Sequence, residues 1–178
     1  MPSLPKDPLL VAARVVLTIT VVFLIIGLVA LAIAFVAVLT FARADLLREL
    51  GSAGSLTTSY WLVVALLPLL GGILHAALRF VFNLRAIVRS VDEGDPFHPE
   101  NAERLHRMGW LVVSIYVLGI IAGLIGAWLV TSVPELARDK NFEFDLGGGG
   151  ILLMLVLFIL ARVFRHGARM RDELEGTV

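Results

Sequence analysis

The chain has 178 residues, of which 58% are hydrophobic and only 17% are charged, and its mean hydropathy is +0.91. Soluble domains carry about 25% charged residues, so this composition indicates a protein that lies in a bilayer. Cysteine is absent, which excludes disulfides, thiolate chemistry and cysteine-based metal sites. The formal net charge is zero, but the charges are unevenly distributed along the chain.

Four apolar runs predict four transmembrane helices. Each is close to the roughly 20 residues needed to cross about 30 Å of hydrocarbon. The runs cover residues 15–41, 60–84, 108–130 and 146–164. The first is longer than the roughly 7 to 15 apolar residues of a signal peptide, so we interpret it as an uncleaved span. The expected fold is an all-α, polytopic membrane protein with a single four-helix transmembrane domain over residues 1–178.

The basic residues predict the orientation of these spans. Of the 15 Arg and Lys residues, eleven lie in the N-terminal segment, the loop between spans two and three, and the C-terminal tail. Short cytoplasmic loops carry an excess of Lys and Arg. We therefore expect both termini and the central loop to be cytoplasmic.

The central loop, residues 85–107, predicts a helical hairpin. Its first apolar residues have the spacing of an amphipathic helix that continues the second span: Leu84, Ile87, Val88 and Val91. Gly94 should stop that helix, and Pro99 suits the first position of the next. Two i, i+4 ion pairs are expected on the new helix: Glu100 with Arg104, and Glu103 with Arg107.

The C-terminal tail, residues 165–178, is expected to continue the fourth helix out of the membrane. Gly167 is a weak point within it, because glycine is a poor helix former. The free end formed by Thr177 and Val178 is a candidate for docking onto the hairpin or onto a partner.

Small residues predict close helix packing on the third span. They form two overlapping small-xxx-small patterns: Gly119, Ala122, Gly123 and Gly126. The spacing suits packing within one chain or between the chains of a homo-oligomer. Pro68 should bend the second helix.

Residues with catalytic or metal-binding chemistry are sparse. The central parts of the spans hold no Asp, Glu, Lys or Arg, and His75 is the one titratable group at some depth. The other histidines lack ligand spacing, and no Ser-His or paired-Asp arrangement occurs within a span. We therefore expect no catalytic residue, metal or cofactor. Direct nucleic-acid binding is disfavoured, because acidic residues dilute the basic ones in the central loop.

Two segments resemble a known family, the bacterial four-span membrane proteins called domain of unknown function 2975. They are LRAIVRSVDEGDPFHPENAERLHRMGW, residues 84–110, and ARVFRHGARMRDELEGTV, residues 161–178. Family tails often carry an acid before the Val-Phe pair, where this chain has Arg162. The resemblance implies a location in a bacterial inner membrane. It also implies a partner, because genes of the family commonly lie beside genes for small helix-turn-helix regulators.

The leading hypothesis is thus a non-enzymatic interaction protein that holds or modulates such a regulator. Its candidate partner-binding residues lie in the central loop and the tail: Gly94, Asp95, Pro96, Phe97, Asn101, Arg104, Leu105, Arg171, Glu173, Thr177 and Val178. The alternative is a small oligomeric channel, transporter or lipid-binding protein. Its pore would be lined by hydroxyl groups between protomers: Thr18, Thr20, Ser114 and Tyr116.

Overall fold

The computed structural model describes residues 8–40, 55–132 and 148–175, and the regular structure within them is entirely α-helical. The helices are α1 (Pro8–Thr40), α2 (Ser55–Asp92), α3 (Pro99–Ser132) and α4 (Gly149–Glu175). Each contains a stretch long and apolar enough to cross a membrane. The prediction of an all-α protein with four apolar helices is confirmed. Thr177 and Val178 lie outside the described residues.

The helices pack in the order of the chain. α1 packs on α2, α2 on α3, and α3 on α4, while no described Cα atom of α1 comes within 8 Å of a Cα atom of α3 or α4. Beyond Arg14, α1 has apolar residues on every side, and Val21 is its one buried residue. Lipid chains are as apolar as leucine, so such a surface gains little by packing on protein rather than on lipid.

The best-packed core lies where α2, α3 and α4 meet near the connection between α2 and α3. Leu105, Met108 and Val112 on α3 pack with Leu157 and Ala161 on α4. Their spacing of three or four residues places each set on one helix face. Partly buried side chains of α2 complete the cluster: Phe80, Leu84 and Ile87.

A helical hairpin joins α2 to α3, as predicted. α2 continues through Pro68 and ends at Asp92, eight residues beyond the predicted end of the span. Gly94 has a φ of 84°, which glycine adopts without steric cost, and its amide donates to the Val91 carbonyl at 3.1 Å. Pro99 is the first residue of α3. Residues 93–98 are called the turn below.

α4 also extends beyond its predicted span, to Glu175, and Gly167 lies inside it without an interruption. Close packing around Gly167 explains why this position holds a residue without a side chain. A Cβ atom there would lie 2.8 Å from the Cδ1 atom of Phe97. Gly167 is therefore a point of close approach between α4 and the turn, rather than a simple weakness in the helix.

The small-residue face of α3 is covered within one chain. Gly119, Ala122 and Gly126 are buried, and Gly123 is partly buried. Because this burial occurs in a single copy of the chain, no second copy is needed to cover the face.

Candidate functional site

The turn is fixed to both of its helices by the side chain of Asn101, which is 0% exposed. Its Nδ2 group donates to the Ser90 hydroxyl at 2.6 Å and to the Pro96 carbonyl at 3.0 Å. Its Oδ1 atom accepts a hydrogen bond from Arg104 at 2.8 Å. A buried amide needs such partners because losing water is otherwise costly. Asn101 thus joins the end of α2, the turn and the start of α3.

Both ion pairs predicted on α3 are present. Arg104 pairs with Glu100, and Arg107 pairs with Glu103 at 3.0 Å. Exposed i, i+4 pairs each contribute only about 0.3 to 0.5 kcal/mol. The Arg104 side chain has the larger structural role, since it also contacts the buried Asn101 amide.

Two further ion pairs connect distant parts of the chain, and sequence reasoning missed both. Asp95 in the turn pairs with Arg171 on α4 at 2.5 Å. Asp92 at the end of α2 pairs with Arg14 on α1. The partners are 76 and 78 residues apart, so no local spacing predicts them. Together they place the start of α1, the turn and the end of α4 at one end of the molecule.

Phe97 is the exposed apolar residue of the turn. Its ring centroid lies 5.4 Å from that of Phe164 on α4, and the ring also covers Gly167. It is still 44% exposed. The turn therefore contacts α4 through one apolar contact and one ion pair, and it leaves part of an aromatic ring at the surface.

A groove of about 1010 Å³ lies beside Phe97 along α4. Its lining combines apolar and basic side chains: Phe97, Ile159, Arg162, Val163, Arg165, His166, Gly167, Arg169 and Met170. Arg162, Arg165 and Arg169 form no ion pair with a side chain that the structure describes. None of these three was among the predicted partner-binding residues, although their i, i+3, i+7 spacing in the sequence indicates one basic helix face.

The predicted partner-binding residues occupy different environments. Gly94, Asp95, Pro96 and Phe97 belong to the turn, and Arg171 and Glu173 are exposed on α4. Asn101 and Leu105 are buried, so neither side chain offers a surface to a partner.

Some of the histidines and hydroxyls form hydrogen bonds within the protein. His106 accepts a hydrogen bond from Trp110 Nε1 at 3.2 Å. Thr18, Thr20 and Ser114 donate to carbonyls four residues earlier in their own helices. Among the described residues, no group of three His, Asp or Glu side chains is placed to hold a metal ion.

Four apolar helices, three of them extended at one end around a fixed turn, define a multi-pass membrane protein. The family is shown by a match over residues 52–178 to the family described as "Protein of unknown function (DUF2975)". The chain belongs to this family. The match takes in α2, the turn, α3 and α4, and it leaves α1 outside. Comparisons with curated proteins and with solved structures gave no match.

Proposed function

We propose that the protein is a non-enzymatic interaction protein of a bacterial inner membrane. We propose further that its turn and the part of α4 beyond residue 164 bind a small cytoplasmic helix-turn-helix regulator. The observation that carries this proposal is the groove beside Phe97. Phenylalanine, methionine and arginine, which all line this groove, are enriched in protein–protein interfaces. The partner that fits it is an acidic segment with an apolar face, which would meet Phe97 with its apolar side chains and the arginines with its carboxylates.

The proposed orientation places this groove in the cytoplasm. The end of the molecule that holds the turn also holds most of the arginines, whereas the other ends of the helices hold few basic residues. This distribution supports a cytoplasmic location for the turn and for both termini.

The test is direct binding between the full chain, purified in detergent, and the small DNA-binding protein encoded beside its gene. We expect Phe97→Ala to weaken binding by tenfold or more, on the order of 2 kcal/mol for a hot-spot aromatic residue. Replacing Arg162, Arg165 and Arg169 together by Gln should weaken it further and reduce its dependence on salt. Phe23→Ala is the matched control, because this ring is exposed on α1, far from the turn.

The proposal fails if the regulator does not bind the wild-type chain, or if Phe97→Ala binds as well as Phe23→Ala. Circular dichroism of each variant keeps loss of binding distinct from loss of fold. Solute flux through liposomes containing the purified chain would instead support the small channel.

A further inference from the structure

A second groove, of about 500 Å³, lies between α2 and α3. Each helix contributes four residues to it: Arg79, Phe82, Asn83 and Ala86 on α2, and Arg107, Trp110, Leu111 and Ser114 on α3. Both sets have the spacing i, i+3, i+4, i+7, which places each of them on one face of its helix. The groove is therefore formed by two facing helix stripes, with an arginine on each.

The groove lies near the turn, at the level where the predicted spans end. Arg107 directly precedes the predicted third span, and Arg79 is within about a turn and a half of the end of the second. Trp110 is 57% exposed and Phe82 is 44% exposed. Tryptophan is enriched where headgroups meet hydrocarbon. This level places the arginines within reach of lipid phosphates.

The charge in this groove has little compensation from the protein. The sequence between Tyr60 and Val91 contains no Asp or Glu. Among the described residues, the Arg79 guanidinium forms no ion pair, and Arg107 pairs only with the exposed Glu103. A cation near the hydrocarbon is costly unless an anion or water compensates for it.

A neighbouring basic groove is less suited to bind an anion. It is lined by Arg14, Phe82, Arg85, Ala86, Arg89 and Glu93. Glu93 lies in its wall and pairs with Arg89, and Arg14 pairs with Asp92. Two of its three arginines are thus already neutralised by the protein.

We propose that the groove between α2 and α3 binds the phosphodiester headgroup of an anionic phospholipid. Arg79 and Arg107 would contact phosphate oxygens, which guanidinium groups bind in a bidentate manner. Phe82, Trp110 and Leu111 would lie against the glycerol and the upper acyl chains. Basic pockets between transmembrane helices bind anionic headgroups in this way, and the volume falls within the roughly 300 to 1,000 Å³ of small-molecule sites. This inference goes beyond the proposed regulator binding and does not depend on it.

Trp110 provides a local probe. The chain has 3 tryptophans, so replacing Trp61 and Trp128 by Phe leaves Trp110 as the only one. The full chain is reconstituted in phosphatidylcholine vesicles that contain brominated phosphatidylglycerol or brominated phosphatidylcholine, and quenching of Trp110 fluorescence is measured. We expect phosphatidylglycerol to be preferred at this site. Arg79→Gln and Arg107→Gln should each lower that preference about fivefold, as expected for one basic residue at a membrane surface.

Two controls make the result specific. Arg85→Gln removes the same charge from the same helix but does not line this groove, so the preference should be kept. Arg79→Lys keeps the charge and should retain part of the preference. Equal quenching by the two lipids, an unchanged preference in Arg79→Gln, or the same loss in Arg85→Gln would overturn the proposal. Displacement of the brominated phosphatidylglycerol by inorganic phosphate at constant ionic strength would assign the site to a soluble anion and overturn its assignment to lipid.

Discussion

Asn101 shows how one side chain fixes the position of the turn. Both of its amide N–H groups and its carbonyl oxygen have partners from three different segments. The resemblance of the central loop to the family placed it among the partner-binding candidates. Its complete burial and its hydrogen bonds give it a structural role that acts on the surface indirectly.

Replacing Asn101 by Ala should destabilise the protein by about 1 to 3 kcal/mol, because the Ser90 hydroxyl, the Pro96 carbonyl and Arg104 each lose a buried partner. The measurement is the free energy of unfolding of the purified chain in a mixed-detergent titration. Asn83→Ala is the control, since the Asn83 amide donates only to the Arg79 carbonyl of its own helix, at 2.7 Å. Equal losses in the two variants would contradict the role given to Asn101.

At the scale of elements, the helices were more predictable than their contacts. The helical spacing of residues 84–91 and the prolines of the loop depend on neighbours in sequence, and both features occur in the structure. The contact between the turn and α4 was missed. It depends on Phe97, Gly167, Asp95 and Arg171 meeting in space, and a glycine in the predicted tail gives no local sign of a packed ring.

Exchanging the charges of the ion pair between the turn and α4 tests that contact. Asp95→Arg and Arg171→Asp should each loosen the end of α4, because like charges then face each other, and the double variant should restore most of the contact. The expected effect of each single change is about 1 kcal/mol or less, and it should diminish at high salt. Spin labels on the turn and on α4 report the distance between them.

Arg89→Asp with Glu93→Arg is the matched control for that exchange. This pair joins the last turn of α2 to Glu93, the first residue of the turn, and makes no contact with α4, so its reversal should leave the distance from the turn to α4 unchanged. Single variants that keep the wild-type distance distribution would show that the ion pair does not hold α4 to the turn.

The whole molecule has one end rich in charged contacts and a body that exposes apolar side chains. Ion pairs bring the start of α1 and the end of α4 to the turn, while large apolar residues on the helices face outward, as lipid-facing positions do. If the charged end is cytoplasmic, the same surface offers both the groove beside Phe97 and the arginines between α2 and α3.

The absence of cysteine allows this orientation to be tested by single-cysteine labelling. In spheroplasts, a membrane-impermeant maleimide should label Gly149→Cys and Thr131→Cys, which lie at the opposite ends of α4 and α3 from the turn. His98→Cys and Arg169→Cys should react only after the membrane is permeabilised. Labelling of His98→Cys in intact spheroplasts would reverse the topology and remove the basis for a cytoplasmic regulator.

The sequence by itself determined the helical class, the four apolar helices and the hairpin, because a bilayer requires long apolar helices, and because caps, prolines and periodicity act over a few residues. Only the tertiary structure decided which charges pair across the chain, which glycine accepts the Phe97 ring, and that Arg79 and Arg107 share one groove. Those arrangements depend on the relative positions and rotations of neighbouring helices, which arise from packing among residues distant in sequence.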